Sequence, residues 1–166
     1  MKLSVLIPAH NEESTIVETL LGVFDILTKE KIEHEILVVN DYSTDHTEEV
    51  LNEVSGDLPS MRHIKNTLPR GFGYAVRCGL NSFNGDCVAV LMADASESPD
   101  DLVKFYRALV QGNYDAIFGS RFMPGGRVVD YPPMKLRLNR MINGLIQLLF
   151  GLKYDDVTNA FKMYRS

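Results

Sequence analysis

An α/β fold with a mostly parallel sheet flanked by helices is predicted by three observations. Short apolar runs alternate with longer amphipathic ones along the chain, polar and acidic residues collect just after the apolar runs, and 166 residues suit one domain with a sizeable core. The apolar runs at residues 3–7, 35–39, 61–64, 87–91 and 115–118 read as strands. Between and after them, residues 12–29, 45–54, 73–82, 99–111 and 134–150 carry the helical period. In such a sheet, ligands gather at the carboxyl ends of the strands, so function is expected in the strand-to-helix loops. The stretch 123–133, rich in Pro and Gly, reads as a mobile surface loop, and 154–166 as a further strand or helix that stops without a tail. We therefore expect a single domain over 1–166, cut from a longer protein at its C-terminal side.

Composition narrows the function classes. The chain is 45% hydrophobic and 23% charged, which argues for a soluble globule over disorder. Lys and Arg number 17 against 22 Asp and Glu, a net charge of −5, so nucleic acid is not expected as the main partner. Two cysteines, Cys78 and Cys87, are too few for a disulfide scaffold and lack the neighbouring His of a zinc site, and a reducing compartment follows as the default. The N-terminal MKLSVLIPAHNEE runs into acidic residues with no small-residue cleavage site and reads as a first strand. No run approaches the roughly 18 apolar residues of a membrane span.

The loops carry the chemistry. After the first strand comes Ile7-Pro8-Ala9-His10-Asn11-Glu12-Glu13, in which Asn11 suits a helix cap and the glutamates suit its dipole. After the second, Asp45 and Glu48 form a D-x-x-E capping pair, whereas Asp41 has no such structural role and can accept a hydrogen bond from a nucleobase imide. The Gly71-x-Gly73 pair lacks the third Gly of a dinucleotide fingerprint, since Val76 stands there, and it follows the third strand instead of the first.

These motifs together resemble the family 2 glycosyltransferases, especially the dolichyl-phosphate mannose synthase-like branch. The resemblance rests on IPAHNEE, VVNDYSTD, the Gly71 to Arg77 segment, LMADASESPDD, Gly119-Ser120-Arg121-Phe122, and the closing Asp156 to Lys162. It implies a GT-A fold, a nucleotide-diphospho-sugar donor and inversion at the anomeric carbon. By the same resemblance, Pro8, His10 and Glu12 fall at the base and ribose, with His10 in place of the usual Tyr, and Val39 and Asp41 fall at the base-contacting strand end. Asn40 stands where an Asp is common.

The family's D-x-D motif is incomplete. Met92-Ala93-Asp94 occupies it, leaving Asp94 as the one carboxylate for Mg²⁺ or Mn²⁺, because a thioether is a poor ligand for a hard cation. Ser96 stands at a weaker ligand position, Glu97 reads as a solvated acid, and Ser98-Pro99 reads as the start of a helix. Arg121 falls where the family faces phosphate, and Lys135, or Arg137 beside it, falls at a second basic position. Asp94 and Arg121 are thus the expected catalytic residues, and Pro8, His10, Glu12, Val39, Asp41, Ala93, Asp94, Arg121 and Lys135 the expected donor-binding set.

The implied acceptor is a polyprenyl phosphate, already anionic near neutral pH, so the reaction needs positioning and charge stabilisation more than a general base. Residues 141–152 hold more apolar surface than one buried stripe requires, with Lys135, Arg137 and Arg140 before them. That pattern suits peripheral contact at the cytoplasmic face of a membrane, or a core helix. Two other readings stand beside it. One is transfer to a saccharide hydroxyl, needing a carboxylate beyond Ser166, and the other is a non-catalytic sugar-nucleotide binder, suggested by Met92.

Overall fold

Seven consecutive buried residues, Leu3–Ala9, form β1, the middle of the sheet. A strand buried along its whole length needs cover on both faces, and its apolar side chains alternate between two clusters. Leu3, Val5 and Ile7 join one cluster with Ile36 and Val38, while Leu6 joins the other with Leu37 and Val39. The computed structural model describes residues 1–123 and 132–166. Most of the expected surface loop over 123–133, including its Gly125-Gly126 pair, lies outside the described residues.

The elements are β1, α1 (Ile16–Lys29), β2 (His34–Asn40), α2 (Thr47–Ser55), β3 (Met61–Lys65), α3 (Phe72–Leu80), β4 (Cys87–Val90), α4 (Pro99–Gln111), β5 (Ala116–Phe118), α5 (Pro133–Phe150) and β6 (Lys162–Arg165). The sheet order is β3-β2-β1-β4-β6-β5. β1 pairs in parallel with both β2 and β4, and β2 with β3, whereas β6 runs antiparallel to β4. The alternation of strands and helices was thus a sound guide to the parallel half. β6, left open as strand or helix by sequence, is inserted between β4 and β5.

The chain divides into two compact units, Met1–Ile117 with Phe161–Ser166, and Phe118–Ala160. In the first, α3 covers the Leu6 face of the sheet, and it does so at close range: a Cβ on Gly79 would stand 2.1 Å from Leu6 Cδ1. The opposite face carries α1, α2 and α4 through Leu20, Leu51 and Leu102. Glu35 is buried in β2, where it accepts hydrogen bonds from Ser4 Oγ, Asn84 N and Arg62 Nε. Burial pushes its carboxyl up, but those three donors outweigh it and hold the group below the usual carboxylate value.

In the second unit, α5 ends at Gly151, whose φ of 63° is the left-handed conformation that a glycine adopts without strain. Asn143 on α5 is buried and bonds Thr158 and Asn139. Other α5 side chains stand in solvent, among them Met134 at 84% and Leu148 at 81% exposure. No described helix is long and apolar enough to cross a membrane.

Candidate functional site

Parallel pairing of β2 with both β1 and β3 places the carboxyl ends of these three strands side by side, with β4 on the far side of β1. The loops leaving these ends are cross-linked. After β1 the chain does not enter a helix at Glu12, as the sequence suggested, because Asn11 turns into the left-handed region at φ 57° and α1 begins only at Ile16. Asn11 does not cap α1 either. Its Oδ1 accepts from Thr44 N at 2.8 Å, tying the β1 loop to the β2 loop. Glu12 donates its N–H to Thr47 Oγ1 and accepts from Thr15 Oγ1, which makes it a brace of both loops.

The capping pair expected of Asp45 and Glu48 is not formed. Asp45 binds Thr47 N and Oγ1, while Glu48 turns to Asn40 Nδ2 and Lys65 Nζ at the ends of β2 and β3. The strand ends offered Glu48 better partners than the backbone of its own helix. Ser98 precedes α4 with Pro99 in the first turn, but its hydroxyl makes no capping bond.

Asp41 is the hub of the three ends. It is buried, its N–H bonds Ala9 O, its Oδ1 accepts from Asn66 Nδ2 at 2.6 Å, and its Oδ2 accepts from Gly71 N at 2.9 Å. The sequence reading that Asp41 has no structural role is corrected by these bonds. Each carboxylate oxygen still has a second lone pair for a ligand N–H. Gly71 presents its N–H from φ 141°, a backbone that L side chains rarely adopt, so glycine is needed there.

His10 sits over the same residue. Its Nδ1 lies 2.7 Å from Asp41 O, and since a carbonyl only accepts, Nδ1 carries the proton. Nε2 is therefore the acceptor of the Arg70 Nη2–H at 2.6 Å. Arg70 and Asn66 were not singled out from sequence. The adjacent Gly71-x-Gly73 is the one local signal that this loop approaches a site. Pro8 and Val39 are register partners and fully packed, and Val39 belongs to the α3-side core, so neither presents a side chain to the loops.

At the end of β4, Ala93 is buried and its carbonyl accepts from Thr19 Oγ1. Asp94 is exposed, with Oδ1 accepting from Ser96 N. Glu97 is not the solvated acid that the sequence suggested. It is partly buried and bends back so that Oε2 takes the Met92 N–H at 3.1 Å and the Ser96 hydroxyl at 3.2 Å. Burial, with Asp94 nearby, pushes the Glu97 carboxyl up. Among the described residues, no three His, Cys, Asp or Glu side chains converge on a metal position.

In the second unit, Arg121 closes a fork on Asp156, with Nε to Oδ2 at 2.7 Å and Nη2 to Oδ1 at 2.8 Å, and its N–H also meets Oδ2. Asp156 is buried; burial raises its carboxyl, and the Arg121 bonds outweigh that and lower it. Lys135 is exposed in the first turn of α5. Arg121→Lys is expected to cost about 1–2 kcal/mol in urea unfolding, because one point charge cannot reproduce two fork bonds to a buried carboxylate. A variant as stable as the parent would show that the fork contributes nothing to folding.

The model of the Glycosyl transferase family 2 matches residues 4–166. The chain belongs to that family. Among its relatives, the dolichol-phosphate mannosyltransferase of Pyrococcus furiosus is 34% identical over 132 residues, covering 80% of this chain and 36% of that protein. The undecaprenyl-phosphate 4-deoxy-4-formamido-L-arabinose transferase of Edwardsiella ictaluri is 32% identical, with 98% of this chain and 49% of the relative covered. The chain thus spans a half or less of these two relatives. A crystal structure of Mycobacterium tuberculosis glucosyl-3-phosphoglycerate synthase with phosphoglyceric acid superposes at TM-score 0.74 and 22% identity, covering 99% of this chain and 56% of that one. Another form of the same enzyme, in complex with Mn²⁺ and UDP-glucose, superposes at 0.69, again with 22% identity and 99% and 56% coverage. The fold is therefore GT-A, as the family resemblance implied.

Proposed function

We propose that this family 2 domain binds a nucleotide-diphospho-sugar at the ends of β1 and β2 and transfers the sugar, with inversion, to a polyprenyl phosphate. The observation that carries the donor site is the buried Asp41 carboxylate, held by Asn66 and Gly71 with lone pairs left for a base N–H. The lipid-phosphate relatives support the acceptor. In the transfer, an acceptor phosphate oxygen forms a bond to the anomeric carbon from the face opposite the leaving group. The bond from that carbon to the nucleoside diphosphate breaks and its electron pair leaves with the diphosphate. The attacking oxygen is already anionic, so no side chain has to remove a proton.

Within this reading, His10 and Glu12 shape the donor loop, Pro8, Val39 and Ala93 form its packed floor through backbone and core, and Lys135 offers a cation for phosphate. Arg121 serves first as the fork partner of Asp156 inside the second unit. Mg²⁺ or Mn²⁺ at Asp94 fits poorly. Met92 brings sulfur where a hard cation takes oxygen, and Glu97 is turned onto the Met92 backbone, so the strand end offers one exposed carboxylate. No step is assigned to a bound cation.

Assays with UDP- and GDP-sugars, each against polyprenyl phosphate and against soluble saccharides, test the activity on the full-length protein. Sugar–lipid phosphate is the expected product; transfer only to a hydroxyl acceptor rejects the acceptor assignment, and binding without turnover rejects the enzyme.

The same reading includes contact with an anionic lipid surface through α5. This helix carries Lys135, Arg137 and Arg140, no acidic residue, and exposed Met141, Leu145, Leu148 and Phe150. Sedimentation with vesicles should show binding to phosphatidylglycerol but not to phosphatidylcholine, weakened at least about fivefold by Leu148→Glu, roughly 1 kcal/mol. Equal sedimentation with both vesicle types would reject it.

A further inference from the structure

The first half of the D-x-D motif lacks its carboxylate, yet a cation with no ion pair among the described residues stands at the neighbouring strand ends. Arg70 is exposed and makes no ion pair among the described residues, whereas Arg62, Arg107 and Arg121 each face a carboxylate. A neutral imidazole holds it instead. His10 spends its Nδ1 proton on Asp41 O and receives the Arg70 Nη2–H on Nε2, so the guanidinium is placed one imidazole ring away from the Asp41 backbone without losing its charge. A salt-bridge partner would have cancelled that charge, and a solvated arginine would carry its full rotamer entropy into binding. Here both costs are lowered: of the five guanidinium N–H donors, four remain for anionic oxygen.

We propose that Arg70, positioned by His10, meets the phosphate charge of the bound nucleoside diphosphate, so that nucleotide binding by this domain does not depend on a divalent cation. The inference rests on the proposed donor site at Asp41 and adds to it how the diphosphate charge is met. Met92 and Arg70 then belong to one arrangement. Charge that a carboxylate-held metal would supply at the β4 end is supplied by a guanidinium from the loop after β3.

The test is calorimetric titration of the whole chain with UDP and with GDP, in EDTA and in excess Mg²⁺. The nucleotide that binds should do so with Kd values within about threefold of each other in the two buffers. In EDTA, Arg70→Gln should raise Kd at least about tenfold and flatten the salt dependence, while Arg70→Lys should fall between it and the parent. Met92→Asp should restore a cation dependence, with binding tighter in Mg²⁺ than in EDTA. Thermal melts check that the variants are folded; Arg70 is on the surface and its replacement should leave the midpoint in place. Parent binding that disappears in EDTA, or an Arg70→Gln protein that binds as the parent does, overturns the proposal and leaves the donor site standing. Absence of binding for both nucleotides in both buffers overturns the donor site and this inference with it.

Discussion

Glu35→Ala should lower the unfolding free energy by about 3 kcal/mol, the largest stability effect expected of a single polar residue in this chain. The carboxylate is almost fully buried in β2, and its removal leaves Ser4 Oγ and Asn84 N without their acceptor. Arg62 is more than a third exposed and regains water, so its share of the loss is discounted. Glu35→Gln, which keeps the shape and one acceptor oxygen, should cost roughly half as much. The effect has a definite pH dependence. The folded carboxyl lies below its ordinary value of 4.5, so the unfolded chain binds the proton more readily. The stabilisation is complete above about pH 5.5 and is lost as the pH falls through 4.5 towards the lower folded value. In urea unfolding, the gap between parent and Glu35→Ala should therefore narrow as the pH falls from 7 to 3.5. A constant gap would show that the stabilisation does not come from the charged form.

Asp41→Ala should abolish tight nucleotide binding, raising Kd well beyond tenfold, and should also loosen residues 66–71 at a cost of about 2 kcal/mol. Both effects have one cause. The carboxylate that is to receive the base also holds Asn66 Nδ2 and Gly71 N, and Gly71 in its positive-φ backbone has no other reason to point its N–H there. Hydrogen exchange should show faster exchange at Gly71, while β1 and β2 stay protected. Asp41→Asn keeps one oxygen and turns an amide towards the donors, so it should lose binding while retaining part of the stability. Parent-like affinity for UDP and GDP in both variants would remove Asp41 from the donor site; unaltered exchange at Gly71 would remove it from the loop.

The sheet was legible in the sequence because its signals are local. Every residue of Leu3–Ala9 is buried, and the run that builds β1 needs no knowledge of its neighbours to be recognised. Pro99, which fits the first turn of a helix, likewise placed the start of α4 correctly. Helix starts decided by side-chain caps were misjudged. Asn11 and Glu48 each found a partner on another strand end, and a cap residue cannot be told from a cross-link until those ends are adjacent. Arg121 shows the same effect across 35 residues, since its carboxylate partner Asp156 is remote in sequence.

By itself, the sequence determined the alternation of elements, the family through motifs in their order, and the loss of an acidic residue at Met92. These are properties of residue type and spacing, which a chain carries unfolded. Only the tertiary structure decided what the polar groups of the loops do. Parallel pairing brings the ends of β1, β2 and β3 together, and there buried donors and acceptors must be satisfied by whatever lies within about 3 Å. That requirement closed Asp41 on Asn66 and Gly71, set the tautomer of His10, and placed Arg70 on an imidazole at the same edge.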